Sequence, residues 1–101
     1  MSGIISKQGM VSTSGTVVYK VPGTEFFTQI TLIKLYNRSD YRITLKKYSA
    51  ESDDLREVYS LTLTGGDHLS DETPYILLPG DYLEITSDIT DTNYFIQGAG
   101  S

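Results

Sequence analysis

The chain holds a single histidine, His68, so any histidine-based chemistry depends on that residue alone. A zinc site of the usual kind or a Ser-His-Asp triad would need it. It lies in the run Gly65-Gly66-Asp67-His68, which is a hairpin signal without the Lys-Ser or Lys-Thr of a phosphate-binding loop. We therefore expect His68 in an exposed turn, and we expect no enzymatic activity.

Hard oxygen ligands of the kind that Ca²⁺ prefers occur together in one segment, at Asp88, Asp91 and Asn93. Their spacing matches no EF-hand, and Asp and Asn are ordinary turn residues. Paired carboxylates for glycoside hydrolysis would need a separation that a sequence does not give, so Glu84 with Asp67 or Asp71 indicates nothing. The sequence predicts no metal site and no cofactor.

Eight tyrosines are the remaining chemical signal. A tyrosine combines apolar area with a hydroxyl, which suits a sugar platform or a protein interface. The alternation of the strands predicts that Tyr48 and Tyr82 point outward, whereas Tyr19, Tyr41 and Tyr59 point into the core. Since the chain has no tryptophan, the pattern favours a protein interface.

Two Pro-Gly turns organise the elements that must position these side chains. They are Val21-Pro22-Gly23 and Leu78-Pro79-Gly80-Asp81. Proline fixes φ at the first central position of a turn, and glycine supplies the positive φ that a type II turn needs at the second. After the second turn, Leu83 and Ile85 alternate with Tyr82, Glu84 and Thr86, as in a half-buried strand.

The same alternation recurs along the chain and predicts about seven or eight short strands. In each pair the first set is expected to share one face: Val17, Tyr19 and Val21 against Thr16, Val18 and Lys20; Tyr41, Ile43 and Leu45 against Arg42, Thr44 and Lys46; Tyr59, Leu61 and Leu63 against Val58, Ser60 and Thr62; Tyr94 and Ile96 against Phe95 and Gln97. From Phe26 to Tyr36 the phase breaks, so either a bulge is present or both faces are covered. The segment Ser49 to Glu57 is interpreted as a polar loop, with one capped turn as the alternative.

These patterns predict an all-β fold, a single antiparallel β-sandwich of jelly-roll or Ig-like type. We expect an extended N-terminal arm over residues 1–15, the sandwich over 16–98 and a tail over 99–101. The 101 residues contain no cysteine and no apolar run long enough to span a membrane. The first residues lack the apolar core of a signal peptide, so no ordinary export route is indicated.

Charge is distributed unevenly along the chain, although its net value of −5 argues against general nucleic-acid binding. Residues 1–47 carry seven bases and two acids, a net +5, and residues 48–101 carry one base and eleven acids, a net −10. Strands of the two halves that pair with each other would explain this. The alternative is a basic patch that meets an acidic edge of a neighbouring protein. That patch comprises Lys34, Arg38, Arg42, Lys46 and Lys47.

The first fifteen residues hold three glycines, four serines and one charge. A frayed terminus is the ordinary outcome for such a segment. In an assembly protein it can instead pair with the sheet edge of another subunit, with its apolar residues filling pockets there. Those residues are Ile4, Ile5, Met10 and Val11.

Five runs follow one another along the chain: Val21-Pro22-Gly23, Ile30 to Asn37, Tyr41 to Tyr48, Leu78-Pro79-Gly80-Asp81 with the strand to Ile85, and Tyr94 to Gly98. In this order they resemble the small β-sandwich virion proteins of tailed bacteriophages, and the resemblance covers about Thr13 to Gly98. The resemblance rests on turn chemistry and implies a non-enzymatic, homo-oligomeric part of a phage particle. A capsid decoration or cement protein is the first expectation, and a neck or tail accessory protein is the alternative.

The predicted localisation is accordingly the virion, and the predicted partners are the major capsid protein or another virion protein. We expect a homo-oligomer, with a trimer as one form, and neither nucleic acid nor membrane as partner. The predicted partner-binding residues are Ile4, Ile5, Met10, Val11, Lys34, Arg38, Arg42, Lys46, Lys47, Tyr48 and Tyr82. A carbohydrate-binding module that reads a host-surface glycan through Tyr48 and Tyr82 is the rival hypothesis from another class.

Overall fold

The computed structural model describes residues 3–23 and 27–100, which form nine strands and no helix. No helix that could cross a membrane occurs in this part of the chain. Met1, Ser2, Phe26 and Ser101, which the predicted arm, strand and tail include, lie outside the described residues. The strands are β1 Gly3–Val11, β2 Thr16–Lys20, β3 Thr28–Tyr36, β4 Tyr41–Ser49, β5 Asp54–Leu63, β6 His68–Asp71, β7 Tyr75–Leu77, β8 Tyr82–Ser87 and β9 Thr92–Gly100.

Two antiparallel sheets share these strands. Sheet 1 has the order β1-β9-β3-β6, with β7 also paired to β3, and sheet 2 has the order β2-β8-β4-β5. If β6 and β7 are counted as one interrupted strand, this is the order of a jelly roll, in which two Greek keys interleave. The predicted all-β sandwich is confirmed.

The inner faces of the two sheets form one apolar core. Residues at alternate positions of the central strands have no solvent exposure, as the two-residue period of a strand requires. Each fully buried Ile or Leu contributes about 1.5–3 kcal/mol to the free energy of unfolding. Those with 0% exposure on the central strands are Ile30, Ile33, Ile43, Leu45, Leu83, Ile85 and Ile96.

Bulges shift the alternation at three places. In β3 the register to β9 shifts between Ile30 and Leu32, so the bulge predicted for this segment is present. In β2 the shift between Val17 and Tyr19 buries Val18 and leaves Val17 48% exposed. The predicted inward phase of Val17 was therefore wrong, because an extra residue turns the side chain before it to the other face. The third shift lies between Leu45 and Lys46, in the pairing of β4 with β5.

The turn at Leu78-Pro79-Gly80-Asp81 has the geometry expected of type II. Gly80 has φ +88°, and the Asp81 N–H donates to the Leu78 carbonyl over 2.9 Å. The carboxylate of Asp81, 5% exposed, accepts from the Leu78 N–H at 3.0 Å and from the Ala50 N–H at 2.8 Å. Val21 exchanges backbone bonds with Asp81 and Gly80, so the two Pro-Gly segments are neighbours in space.

The N-terminal segment is a strand rather than a free arm. Gly3 to Val11 pair with Gly100 to Thr92 over nine consecutive positions, and Ile5 and Val11 are buried in the core. The same pairing takes Ala99 and Gly100 into β9, so these two residues do not form a tail. Sequence reasoning missed this pairing because the partners are separated by almost the whole chain.

The segment after β4 is a hairpin. Strand β4 runs to Ser49, residues 50–53 turn, and β5 begins at Asp54, which pairs with Ser49. The predicted polar loop from Ser49 to Glu57 is therefore shorter than expected. Asp53 adopts φ +48° in the turn, a left-handed conformation that Asp tolerates better than most residues.

Candidate functional site

His68 begins β6 on the outer face of sheet 1, instead of lying in the predicted turn. Its ring stacks on that of Tyr36, with centroids 4.5 Å apart and planes inclined by 22°. The described residues contain no group of three or more His, Cys, Asp or Glu side chains arranged to hold a metal ion. The neighbour of the histidine is therefore an aromatic ring.

The acidic segment after β8 forms hydrogen bonds that fix the β8–β9 loop. Asp88 Oδ1 accepts the N–H of Arg42 at 2.8 Å, and the Asp88 N–H donates to the Arg42 carbonyl at 3.1 Å. Asn93 donates to the backbone carbonyl of Asp91 at 3.4 Å. These groups hold the β8–β9 loop against β4, as turn residues do.

A polar cluster that sequence reasoning missed joins the two sheets at their β5 and β6 edges. The hydroxyls of Tyr59 and Tyr75 donate to Asp71 Oδ2 at 2.8 and 2.6 Å, and the Thr73 N–H donates to Asp71 Oδ1 at 2.9 Å. Burial alone would raise the pKa of Asp71, but hydrogen bonds from Tyr75, Thr73 and Tyr59 outweigh it and lower that pKa. Burial and the bond to Asp71 raise the pKa of Tyr75 to about 12.

Tyr48 and Tyr82 form a cross-strand pair on the outer face of sheet 2, as their phase predicts. Their rings stack with centroids 4.7 Å apart and planes 15° apart. The Tyr48 hydroxyl donates to Asp53, and this bond, followed by partial desolvation, raises the pKa of Tyr48. Because the two rings cover each other, each presents only part of its π surface to a partner.

The five predicted basic residues do not form one patch. Lys34 lies on the outer face of sheet 1, whereas Arg42 and Lys46 lie on the outer face of sheet 2. Arg38 is in the β3–β4 loop, and Lys47 stands opposite buried Leu83 in the phase of the inner face. The predicted patch assumed that β3 and β4, which are consecutive in sequence, lie in the same sheet. They belong to different sheets, so their basic residues are separated.

Pairing of basic and acidic strands is visible in sheet 2. The register places Lys46 on β4 opposite Glu57 on β5 and Glu84 on β8. Exposed pairs of this kind are worth about 0–1 kcal/mol, so they influence register more than stability. The uneven charge of the two halves predicts such opposition, but in the next pair of the same strands Lys47 lies opposite Arg56, which has a like charge.

The four apolar residues of β1 divide between its two faces. Ile5 and Val11 face the core, whereas Ile4 and Met10 face solvent with 92% and 57% exposure. Only the second pair is accessible to another protein. On the outer face of sheet 1 the register continues from Ile4 through Ala99 and Gln29 to Ile76, which is 47% exposed.

That outer face carries little charge. The alternation of β3 and β9 places one ionised side chain on this face, that of Lys34. Strand β1 places none there. Its other exposed or half-buried members are mainly amides, serines and apolar residues. From β1, β3 and β9 they include Ile4, Ser6, Gln8, Met10, Gln29, Leu32, Tyr36, Asn93, Phe95, Gln97 and Ala99, and His68 and Ile76 join them from β6 and β7.

The edges of the described sheets differ in how they are protected. Strand β2 is five residues long and bulged, and the β6–β7 edge is interrupted by residues 72–74, which include Pro74. Strand β5 carries a register shift and the charges of Asp54, Arg56 and Glu57. Short length, bulges, proline and charge are the features by which proteins prevent pairing at an edge.

Strand β1 has fewer of these protective features. Its nine residues keep one register to β9, contain no proline and include one charged residue, Lys7. The Lys7 ammonium lies 5.5 Å from the centroid of the Tyr19 ring, so this charge is directed toward the core side of the strand. Apart from this one lysine, the β1 edge carries no feature that opposes the addition of a further strand.

A cleft of about 650 Å³ opens at one end of the sandwich, between the β3–β4 and β8–β9 loops. The lining side chains include Tyr36, Arg38, Asp40, Ile89 and Asp91. Of the predicted partner-binding residues, only Arg38 lies here. Sequence reasoning did not find the cleft, because it joins loops that are about fifty residues apart in the chain.

No family model matches the chain, and no curated protein matches it. Among solved structures, one from Bacillus endospore appendages, described as a novel family of disulfide-linked pili, is similar with a TM-score of 0.60 and 12% identity, over 99% of this chain and 85% of that one. The mitogen of Yersinia pseudotuberculosis is similar with a TM-score of 0.37 and 13% identity, over 97% of this chain and 86% of that one. The chain thus shares its fold with a pilus protein.

Proposed function

We propose that this chain is a non-enzymatic structural protein that assembles into a larger particle through the open edge of β1 and the outer face of sheet 1. The observation that carries the proposal is the combination on β1 of a regular nine-residue edge, which has one lysine as protection, with Ile4 at 92% exposure. Met10 and Ile76 are exposed on the same face, at 57% and 47%, so this face presents several apolar side chains to a partner.

The first partner in this proposal is a second copy of the chain. Since the other described edges are protected, β1 pairs best with β1 of the partner subunit, about a two-fold axis. An antiparallel pairing of all nine residues sets Ile4 opposite Met10 of the partner subunit, which adds an apolar contact to the backbone hydrogen bonds. The same register sets Lys7 opposite Lys7 of the partner subunit, and this like-charge pair must be outweighed by the other contacts. The result is one continuous sheet across a dimer.

The second partner is a protein of a tailed-phage particle, in the first place the major capsid protein. Jelly rolls are an architecture of viral capsid proteins, which fits this assignment. The fold shared with a pilus protein fits an assembled structural role as well. Because this chain has no cysteine, it would contribute no disulfide to such an assembly.

The docking surface in this proposal differs from the one that the sequence suggested. The basic residues divide between the sheets, so they do not supply a single electrostatic face. We propose the weakly charged outer face of sheet 1 as the docking surface in their stead. This face remains continuous across a dimer joined at β1. Docking through such a face depends little on salt, because few ion pairs contribute to it.

The experiment is to locate the chain in particles of the phage whose genome encodes it. Particles are purified on a density gradient, probed with an antibody to the chain and examined by immunogold microscopy. We expect the chain to sediment with the particles and the gold to lie on heads. Gold confined to the neck or tail would support the accessory alternative, and a chain that stays with the soluble protein of the lysate would overturn the proposal.

A further inference from the structure

We propose that the cleft at the loop end of the sandwich is a binding site for a neutral saccharide. Binding there does not require the assembly role proposed above, although Tyr36 and Asn93 belong both to the cleft and to the outer face of sheet 1. Its volume of about 650 Å³ falls within the range of small-molecule sites. Three features of the cleft favour such a ligand: the donors and acceptors in the lining, the charge of the lining and the way its walls are held.

The lining combines the groups that a sugar needs. A hydroxyl both donates and accepts, and the cleft offers donors from Arg38 and Asn93 together with carboxylate acceptors from Asp40 and Asp91. Ile89 and the part of the Tyr36 ring that His68 does not cover supply apolar area for the C–H face of a sugar ring. The side chains of Arg38 and Asp91 make no hydrogen bond or ion pair with the rest of the described chain, so their polar groups remain available.

The charge of the lining favours a neutral ligand. One guanidinium and two carboxylates give a net −1 from Arg38, Asp40 and Asp91. A phosphate or carboxylate ligand would face two like charges, whereas a polyhydroxylated neutral molecule satisfies both signs without an ion of its own. This distinguishes a saccharide from an anionic metabolite.

The walls of the cleft are held in place before any ligand arrives. Asn37, 3% exposed, donates from Nδ2 to the Thr90 carbonyl and to Thr92 Oγ1, each at 2.8 Å, and its Oδ1 accepts the Ser39 N–H at 3.0 Å. Asp40 is fixed by the Gly65 N–H, 2.7 Å from its Oδ1. Such preorganisation lowers the entropic cost of binding.

Two of the contacting groups can be changed without disturbing this frame. Arg38→Gln shortens an exposed side chain and removes its charge. Asp91 has φ +67°, and Asn tolerates this left-handed conformation, so Asp91→Asn removes a charge while keeping shape and backbone. Lys34→Gln is the matched control, because Lys34 is an exposed cation outside the cleft.

The test is a broad glycan array followed by titration of the isotope-labelled chain with the neutral saccharides that bind, monitored by amide NMR shifts. We expect dissociation constants on the order of 1 mM and shifts concentrated in residues 37–40 and 88–93. Arg38→Gln and Asp91→Asn should each weaken binding roughly tenfold, the loss of about one charge-assisted hydrogen bond, and Lys34→Gln should not.

Three results would overturn the inference. One is the absence of any saccharide that binds. Another is a set of shifts centred on Tyr48 and Tyr82 instead of the cleft. The third is binding of acetate or phosphate as strong as that of the saccharides. Amide spectra of the three variants, recorded without ligand, establish that each retains the fold.

Discussion

The hydroxyl of Tyr59 donates a 2.8 Å hydrogen bond to Asp71, and this bond crosses from β5 of sheet 2 to β6 of sheet 1. Tyr75 donates to the same carboxylate oxygen. Tyr59 and Asp71 lie on the edge strands β5 and β6, so the cluster closes one side of the sandwich. Its members are half-buried, which makes each of these hydrogen bonds stronger than one at a fully exposed site.

Asp71→Asn should destabilise the fold by about 1–2 kcal/mol at neutral pH, because the amide replaces a charged acceptor of three hydrogen bonds in a partly solvated site. The folded-state pKa of Asp71 is below the ordinary 3.8, so the carboxylate stabilises the fold above that pH. The contribution declines as the pH falls below 3.8 and through the lower folded-state pKa. Urea unfolding of both proteins from pH 7 to pH 2 measures the difference.

The matched control is Asp67→Asn, since Asp67 is an exposed acid near the same strand whose carboxylate accepts no hydrogen bond from the described chain. It should change the unfolding free energy by less than ~0.5 kcal/mol. If Asp71→Asn behaves like this control, the cluster does not contribute to stability.

Tyr75 gives a second prediction for the pH dependence of stability, at alkaline pH. Its pKa rises from 10.0 to about 12 on folding, so the neutral phenol stabilises the fold below pH 10 and the contribution is lost as the pH rises toward 12. Tyr75→Phe should remove this dependence, leaving a flatter stability profile between pH 10 and 12. Circular dichroism during urea unfolding follows it, and an unchanged slope in the variant would show that Tyr75 does not titrate as described.

Asp81 ties the second Pro-Gly turn to the β4–β5 hairpin through two backbone N–H groups. Asp81→Ala leaves both donors without this acceptor in a buried place, and we expect a loss of about 1–3 kcal/mol. Glu51→Ala, an exposed acid in the neighbouring hairpin turn, serves as the control and should stay within ~0.5 kcal/mol. Equal midpoints of thermal unfolding for the two variants would refute this role.

Substitution by alanine should destabilise the fold at Gly98 but not at Gly3. A Cβ at Gly98 would lie 2.2 Å from the Gln29 carbonyl oxygen, whereas a Cβ at Gly3 has no atom within 4 Å. Gly98→Ala must displace backbone between β9 and β3 and should cost ~1–3 kcal/mol. Gly3→Ala should be neutral. Thermal unfolding of both variants checks the pairing of β9 with β3 at this point.

Local patterns in the sequence predict individual strands well. Leu83 and Ile85 are buried while Tyr82 and Glu84 are not, as their alternation indicates. The turn at Pro79-Gly80 is type II because its residues demand that geometry. Each of these features is decided within a few residues, where the steric rules for proline and glycine and the period of a strand suffice.

Pairing across the chain was not predictable in the same way. Strand β1 pairs with β9, and β3 and β4 join different sheets, because distant strands compete for partners on the basis of the whole core. The outcomes for the predicted arm, the predicted basic patch and the missed Asp71 cluster all depend on this pairing of distant strands. A single bulge also reversed Val17 and Val18, since one extra residue moves a side chain to the other face.

The central claim is that the β1 edge mediates self-association, and the most direct measurement is sedimentation equilibrium over a range of concentrations. We expect the average mass of the unmodified chain to rise from 11.2 kDa toward twice that value. The Ile4→Lys/Met10→Lys protein should remain at 11.2 kDa, because lysine on an edge strand opposes pairing.

The control is Val17→Lys/Leu55→Lys, which places the same charges at exposed apolar positions of sheet 2 and should associate like the unmodified chain. A chain that stays monomeric at every concentration, or one whose association survives Ile4→Lys/Met10→Lys, would contradict the account.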